Sequence, residues 1–88
     1  MLKITTKVVN KRKENYDVYI GRGSKWGNPF IIGKDGTRIE VINKYRDWII
    51  HQPAYADIEE LRGKTLGCFC SPLPCHGDVL VEFLNFKN

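Results

Sequence analysis

The sequence predicts a minimal α/β domain. A small three- to four-stranded mixed sheet is expected around one β-α-β unit, with a long helix over 37–52 and a C-terminal helix over 76–86. Three observations carry this. Short β-branched runs are bounded by turn residues, an amphipathic stripe of helical period follows a capping signature, and the elements come in the order strand, strand, helix, short helix, strand, helix. With 88 residues the chain has room for one hydrophobic core, so residues 1–88 form a single domain.

Residues 3–9 (KITTKVV) read as a strand, NKRKENY as a polar turn and DVYI (17–20) as a short buried strand. GRGSKWGNPF follows with three glycines and an Asn-Pro pair, which is loop chemistry. Residues 30–32 form a short extended piece ending at the Asp35-Gly36 turn. Thr37-x-x-Glu40 is a capping box, in which each side chain satisfies the other residue's backbone N–H. Val41, Ile42, Tyr45, Trp48 and Ile49 then make one apolar stripe, and Pro53 stops the helix. Residues 57–62 give a short helix closed by Gly63, and KTLGCFC (64–70) a strand with Leu66, Cys68 and Cys70 on one face. After the Pro-rich elbow SPLPCH, Val79, Leu80 and Phe83 form the stripe of the last helix.

The strands DVYI and TLGCF, joined through the long helix, should run parallel with a right-handed crossover. Open α/β sheets bind ligands beyond the carboxyl ends of their strands. The loops leaving those ends are GRGSKWGNPF and CSPLPCHGD, so a site is expected where they converge.

Hydrophobic residues make up 42% and charged residues 27%, which excludes a disordered tail. No apolar run approaches the ~20 residues of a membrane span, and the first residues lack the pattern of a signal peptide. A soluble cytoplasmic protein with no membrane partner is expected. The net charge is +4, and residues 1–25 carry +5 against −1 for the rest. That balance suits an anionic partner, a nucleotide or nucleic acid. Lys11-Arg12-Lys13 alone reads as a solvated turn. A narrow sheet with an open edge strand favours pairing with a second copy, so a homodimer is also an expectation.

In the glycine-rich loop, Arg22 and Lys25 can clamp a phosphate or carboxylate, Trp26 can stack on a base and Asn28 can bond a polar ligand edge. Ser24 belongs to the same loop. The competing reading is a tight turn that pins Trp26 and Phe30 into the core. No helix follows at once, so the loop is a weak dinucleotide fingerprint.

Cys68, Cys70 and Cys75 are the three cysteines, and their clustering points to reduced thiols with a local role rather than a disulfide scaffold. Three readings stay open. Cys68, Cys70, Cys75 and His76 are four ligands of the kind zinc takes, although their spacing departs from the usual Cys pairs. Alternatively Cys75, near a helix N-terminus, is a nucleophilic thiolate with His76 as base and Asp78 as orienter, and Cys70 is the rival nucleophile. In the third reading the thiols are buried as small hydrophobes. Asp78 also fits as a first-turn acid that favours the helix dipole. The residues alone leave open whether the site is catalytic.

The stretches DVYIGRGSKWGNPF, DGTRIEVINKYRDWI and LRGKTLGCFCSPLPCHGDVLVEFL together resemble the family catalogued as domain of unknown function 4326, found widely in bacteria and phages. The resemblance covers roughly residues 7–84. Gly23 stands where that family often has proline, and Phe69 where it often has tryptophan. The residues matching its motifs are Arg22, Ser24, Lys25, Trp26, Asn28, Pro29, Cys68, Cys70, Cys75, His76 and Asp78. The family has no assigned activity to transfer. CHGDVLVEFL is also faintly similar to the helix-opening motif of Rossmann-like, lysine-decarboxylase-like nucleotide-binding families, which implies a nucleotide-like ligand.

Overall fold

The computed structural model describes residues 6–70 and 73–87. Residues 3–5 of the expected first strand and Ser71-Pro72 of the elbow lie outside them. Three strands, β1 (Lys7–Asn10), β2 (Val18–Tyr19) and β3 (Thr65–Cys68), form a sheet of order β1-β3-β2. Both pairings are parallel, with Val8 and Val18 each opposite Leu66. The described sheet is thus at the lower bound of the expected strand count and parallel throughout. Its middle strand is the last one in sequence.

Helix α1 (Arg38–Ile49) opens with the predicted capping box: the Glu40 N–H donates to Thr37 Oγ1 at 3.3 Å and the Thr37 N–H donates to Glu40 Oε1 at 2.8 Å. It ends at Ile49, with Ile50 as its C-cap, short of the predicted residue 52. Pro53 does stop it, and as the first residue of a 3-10 helix (Pro53–Leu61) it also starts the next element. That element begins earlier than the predicted short helix. Gly63, at φ 77°, turns the chain into β3. Helix α2 (His76–Lys87) completes the fold.

The core lies between the sheet and the helices. Val41, Ile42, Tyr45 and Ile49 of α1 and Val79, Leu80 and Leu84 of α2 are buried with Ile20, Ile58, Leu61 and Leu66. An Arg46–Glu82 ion pair at 3.3 Å links the two helices at the surface. No helix among the described residues is long and apolar enough to cross a membrane.

The connection between β1 and β2 is unusual. The strands are parallel but separated by β3, so residues 11–17 must return along the sheet and step across it. Extended, this stretch reaches roughly 24 Å. That covers the return and two strand spacings of about 4.8 Å, but a helix rising ~1.5 Å per residue cannot make the journey. The stretch opens in a turn, with Lys13 N–H and Glu14 N–H both donating to Asn10 O at 3.0 Å, and is tied to β3 at both ends: Lys11 N–H donates to Cys68 O at 2.8 Å and Asp17 N–H to Thr65 O at 2.8 Å. The Tyr16 ring covers Gly67, where an added Cβ would meet Tyr16 Cγ at 2.6 Å. Gly67 is the gap that lets the crossover sit down.

Gly67→Ala is expected to destabilise the fold by about 1–3 kcal/mol, the usual cost of overpacking a filled site. Urea denaturation measures this, and adding Tyr16→Ala should recover part of the loss. An unchanged midpoint in Gly67→Ala would mean that the ring does not seat there.

Candidate functional site

Parallel pairing brings the carboxyl ends of β2 and β3 to one edge of the sheet, as the loop convergence predicts. The N-terminus of α2 arrives at the same edge. Cys75 caps it: Gly77 N–H donates to Cys75 Sγ at 3.3 Å and Cys75 N–H donates to Asp78 Oδ2 at 3.0 Å. This is a reciprocal N-cap related to the capping box, with a thiol in place of the usual hydroxyl and its bond from the second helical residue. Asp78 is therefore occupied in opening the helix, the structural alternative weighed for it above.

Cys68 and Cys75 pack with their sulfurs 3.3 Å apart, at 1% and 3% exposure, and all three cysteines are reduced. The neighbouring Cys68 thiol, with burial, pushes the Cys75 pKa up. The Gly77 N–H pulls the other way, as the helix-terminus argument expects, but it is outweighed. Cys75 thus favours the protonated thiol at the helix cap, which weighs against the nucleophilic-thiolate reading among the three. Cys70 is half-buried beyond the strand end. Among the described residues no group of three His, Cys, Asp or Glu side chains is arranged to hold a metal ion. The structure packs Cys68 against Cys75 and places all four candidate zinc ligands, Cys68, Cys70, Cys75 and His76, on one cleft, but not in a ligating arrangement.

His76 is held on two sides. Its Nε2 lies 2.6 Å from the carbonyl oxygen of Ile20, just past β2, and its ring meets Tyr45 edge-on at 5.0 Å between centroids. Nε2 must carry the proton to make this bond, which leaves Nδ1 as the acceptor of the neutral ring. Burial lowers the His76 pKa and the Arg22 charge adds to the effect; the Ile20 bond and the Asp78 charge oppose it without reversing it.

A cleft of about 310 Å³ opens above this floor. Cys68, Cys75 and His76 line its base; Arg22 and Asn28 of the β2 loop, Arg38 of α1, Cys70 and the rings of Phe30 and Phe69 line the rest with neighbouring apolar residues. Arg38 also donates to Pro74 O at 3.2 Å, steadying the elbow before α2. Asn28 uses both ends of its amide within the protein: Nδ2 donates to Val41 O at 3.3 Å and Oδ1 accepts from Phe30 N–H at 2.9 Å.

The remaining residues of the glycine-rich loop do not line the cleft. Trp26 is 1% exposed and its carbonyl accepts the Tyr45 hydroxyl at 2.7 Å, so it is a core residue and cannot stack on a ligand. Lys25 pairs with Glu60 at 2.8 Å and Asp57 at 3.2 Å on the 3-10 helix, and its pKa rises in consequence. Ser24 Oγ donates to Gly21 O at 2.7 Å and accepts from Trp26 N–H at 3.3 Å, closing the turn. These three build the loop, and Arg22 lines the cleft with no ion pair among the described residues. Sequence reasoning missed Arg38, Phe30 and Phe69 as lining residues. A usable signal existed for Arg38, because the first residue of a helix that starts at the ligand edge of a sheet faces that edge.

Two outcomes are expected. In the folded protein only Cys70 should react quickly with an aromatic disulfide reagent, and Cys68 and Cys75 should react only as the chain unfolds; a second fast thiol would mean that the cleft floor opens. Because the folded-state pKa of His76 lies below the ~6.5 of an unperturbed histidine, the unfolded chain takes up that proton first on acidification. Stability present above pH ~6.5 is then lost as pH falls towards the folded value. The Tm should drop between about pH 7.5 and pH 5.5, and His76→Gln should drop less; equal drops would place the acid sensitivity elsewhere.

The chain is 42% identical over 85 residues to an uncharacterized 12.4 kDa protein in the nrdA-td intergenic region of Enterobacteria phage T4, an alignment covering 90% of this chain and 77% of that one. It is 38% identical over 87 residues to uncharacterized protein R718 of Acanthamoeba polyphaga mimivirus, covering 78% and 67%. No solved structure matches it. Residues 4–86 match the family described as Domain of unknown function (DUF4326), including both loops that build the cleft, and the chain belongs to that family.

Proposed function

We propose that the cleft binds a nucleotide-type ligand, an anionic phosphate attached to a flat ring system, and that the protein is directed at nucleotides or nucleic acid. One observation carries this reading: among the described residues, the lining holds two arginines from separate elements, Arg22 and Arg38, and no acidic side chain. Two guanidinium groups on one small cleft favour a phosphate, which they can bond bidentately. Phe30 and Phe69 give the cleft flat apolar surface for a ring. Its position beyond the ends of parallel strands is where open α/β sheets bind such ligands.

Any chemistry in the cleft falls to His76 more readily than to Cys75. The histidine is neutral and rigidly held, and Nδ1 is its unprotonated nitrogen, so it is equipped to accept a proton from a ligand hydroxyl or water. Cys75 and Asp78 are engaged with each other at the helix cap. Cys70 is the accessible thiol.

Titration calorimetry with purine and pyrimidine 5′-mononucleotides tests the binding reading. Arg22→Ala and Arg38→Ala should each weaken the best ligand by about ten- to a hundredfold, matching the ~1.5–3 kcal/mol of a hydrogen bond to a charged group. Circular dichroism should show both variants folded. Absence of binding by every mononucleotide, or full affinity in both variants, would sink the proposal.

A further inference from the structure

Beside the cleft lies a second positively charged feature. Lys11 Nζ sits 4.7 Å from the Tyr19 ring centroid and 4.8 Å from that of Phe69, and Arg12 Cζ lies 5.1 Å from Phe69. Tyr19 and Phe69 meet edge to face at 6.4 Å. Phe69 is 48% exposed and also lines the cleft, so one ring belongs to both places. Lys11, Arg12 and Lys13, with Glu14 and Asn15, border a shallow polar hollow beyond it.

This turn is built rather than merely solvated. Asn10 Oδ1 accepts from Arg12 N–H at 2.9 Å, and Asn10 O accepts from Lys13 N–H and Glu14 N–H, both at 3.0 Å. Asn10 Nδ2 reaches Phe69 O at 3.3 Å, and Lys11 N–H is bonded to Cys68 O. The backbone under three consecutive cations is thus fastened to the end of β3. Among the described residues Lys11, Arg12 and Lys13 form no ion pair, so their charge faces rings and solvent.

We propose that this ledge is a track for single-stranded nucleic acid, continuous with the cleft through Phe69, so that the nucleotide in the cleft is one unit of a strand. The proposal rests on the reading of the cleft as a nucleotide site. Stacking of a base on an aromatic ring outweighs an exposed cation–π contact. An incoming base therefore displaces Lys11 or Arg12 from the Phe69 face, and the released cations turn to the flanking phosphates. A duplex keeps its bases stacked on each other and offers none to an exposed ring, which selects for a single strand.

Fluorescence anisotropy tests this with a labelled single strand of about 12 nucleotides, within the usual ~4–16 of a single-strand site, against its duplex and a mononucleotide. The single strand should bind at least tenfold more tightly than either. The triple variant Lys11→Ala/Arg12→Ala/Lys13→Ala should lose that advantage, flatten the log K against log salt slope by about 2, and bind the mononucleotide as the wild type does. Phe69→Ala should weaken the strand as well. If the strand binds no better than the mononucleotide, if the duplex binds better, or if the triple variant matches wild type, the ledge is overturned, and mononucleotide binding sensitive to Arg22→Ala still upholds the cleft. Strand binding lost in the triple variant but untouched by Arg22→Ala upholds the ledge and removes the cleft reading.

Discussion

The bond between His76 and the Ile20 carbonyl holds the functional edge together. Ile20 is fully buried one residue past β2, where its carbonyl has left the sheet ladder and still needs a donor. His76 supplies it at 2.6 Å. An unsatisfied carbonyl there costs about 1–3 kcal/mol. The next residue makes the approach feasible: a Cβ on Gly77 would stand 2.7 Å from Ile20 Cδ1 and 2.9 Å from a Val8 methyl. With α2 clamped this way, Cys75 is set beside Cys68 and the cleft acquires its floor. The contact also runs outward, because the His76 ring packs on Tyr45 and the Tyr45 hydroxyl holds the Trp26 carbonyl. Sheet, both helices and the glycine-rich loop are joined through one imidazole.

That arrangement separates charge within the site. The floor is buried and neutral, with protonated thiol at Cys75 and uncharged imidazole at His76. The positive charge is on Arg22, which is exposed, and Arg38, which is half-buried. Burial keeps the thiol and the imidazole uncharged, so the ring has a nitrogen free to accept a proton although burial makes it a weaker base.

The parts of this structure legible in the sequence are those set by local rules. The Thr37–Glu40 capping box, the stripe of α1 and the start of α2 at His76 depend on residues three or four apart. The location of the site follows from strand order and from the rule for parallel strands. Other features depend on distant partners. Trp26 looks the same in sequence whether its ring turns in or out, and only its burial in the folded chain, at 1% exposure, shows that it turns in. Lys25 looks like a ligand clamp until Asp57 and Glu60 come round on the 3-10 helix. The central place of β3 is concealed because Tyr16 and Gly67, the pair that permits the crossover, lie far apart in the chain.

Because β1 and β2 pair only with β3 among the described strands, neither has a sheet partner until Thr65–Cys68 exists. During synthesis the first two strands leave the ribosome as unpaired segments, and the helical middle of the chain can organise before them. Closing such long loops is entropically demanding and slow. The sheet therefore assembles late and in one event, when the segment around Cys68 arrives. The same event brings the turn at Lys11 against Phe69 and raises the floor beneath Arg22. A nascent chain has neither half of the proposed anion-binding surface, and the completed fold gains both at once.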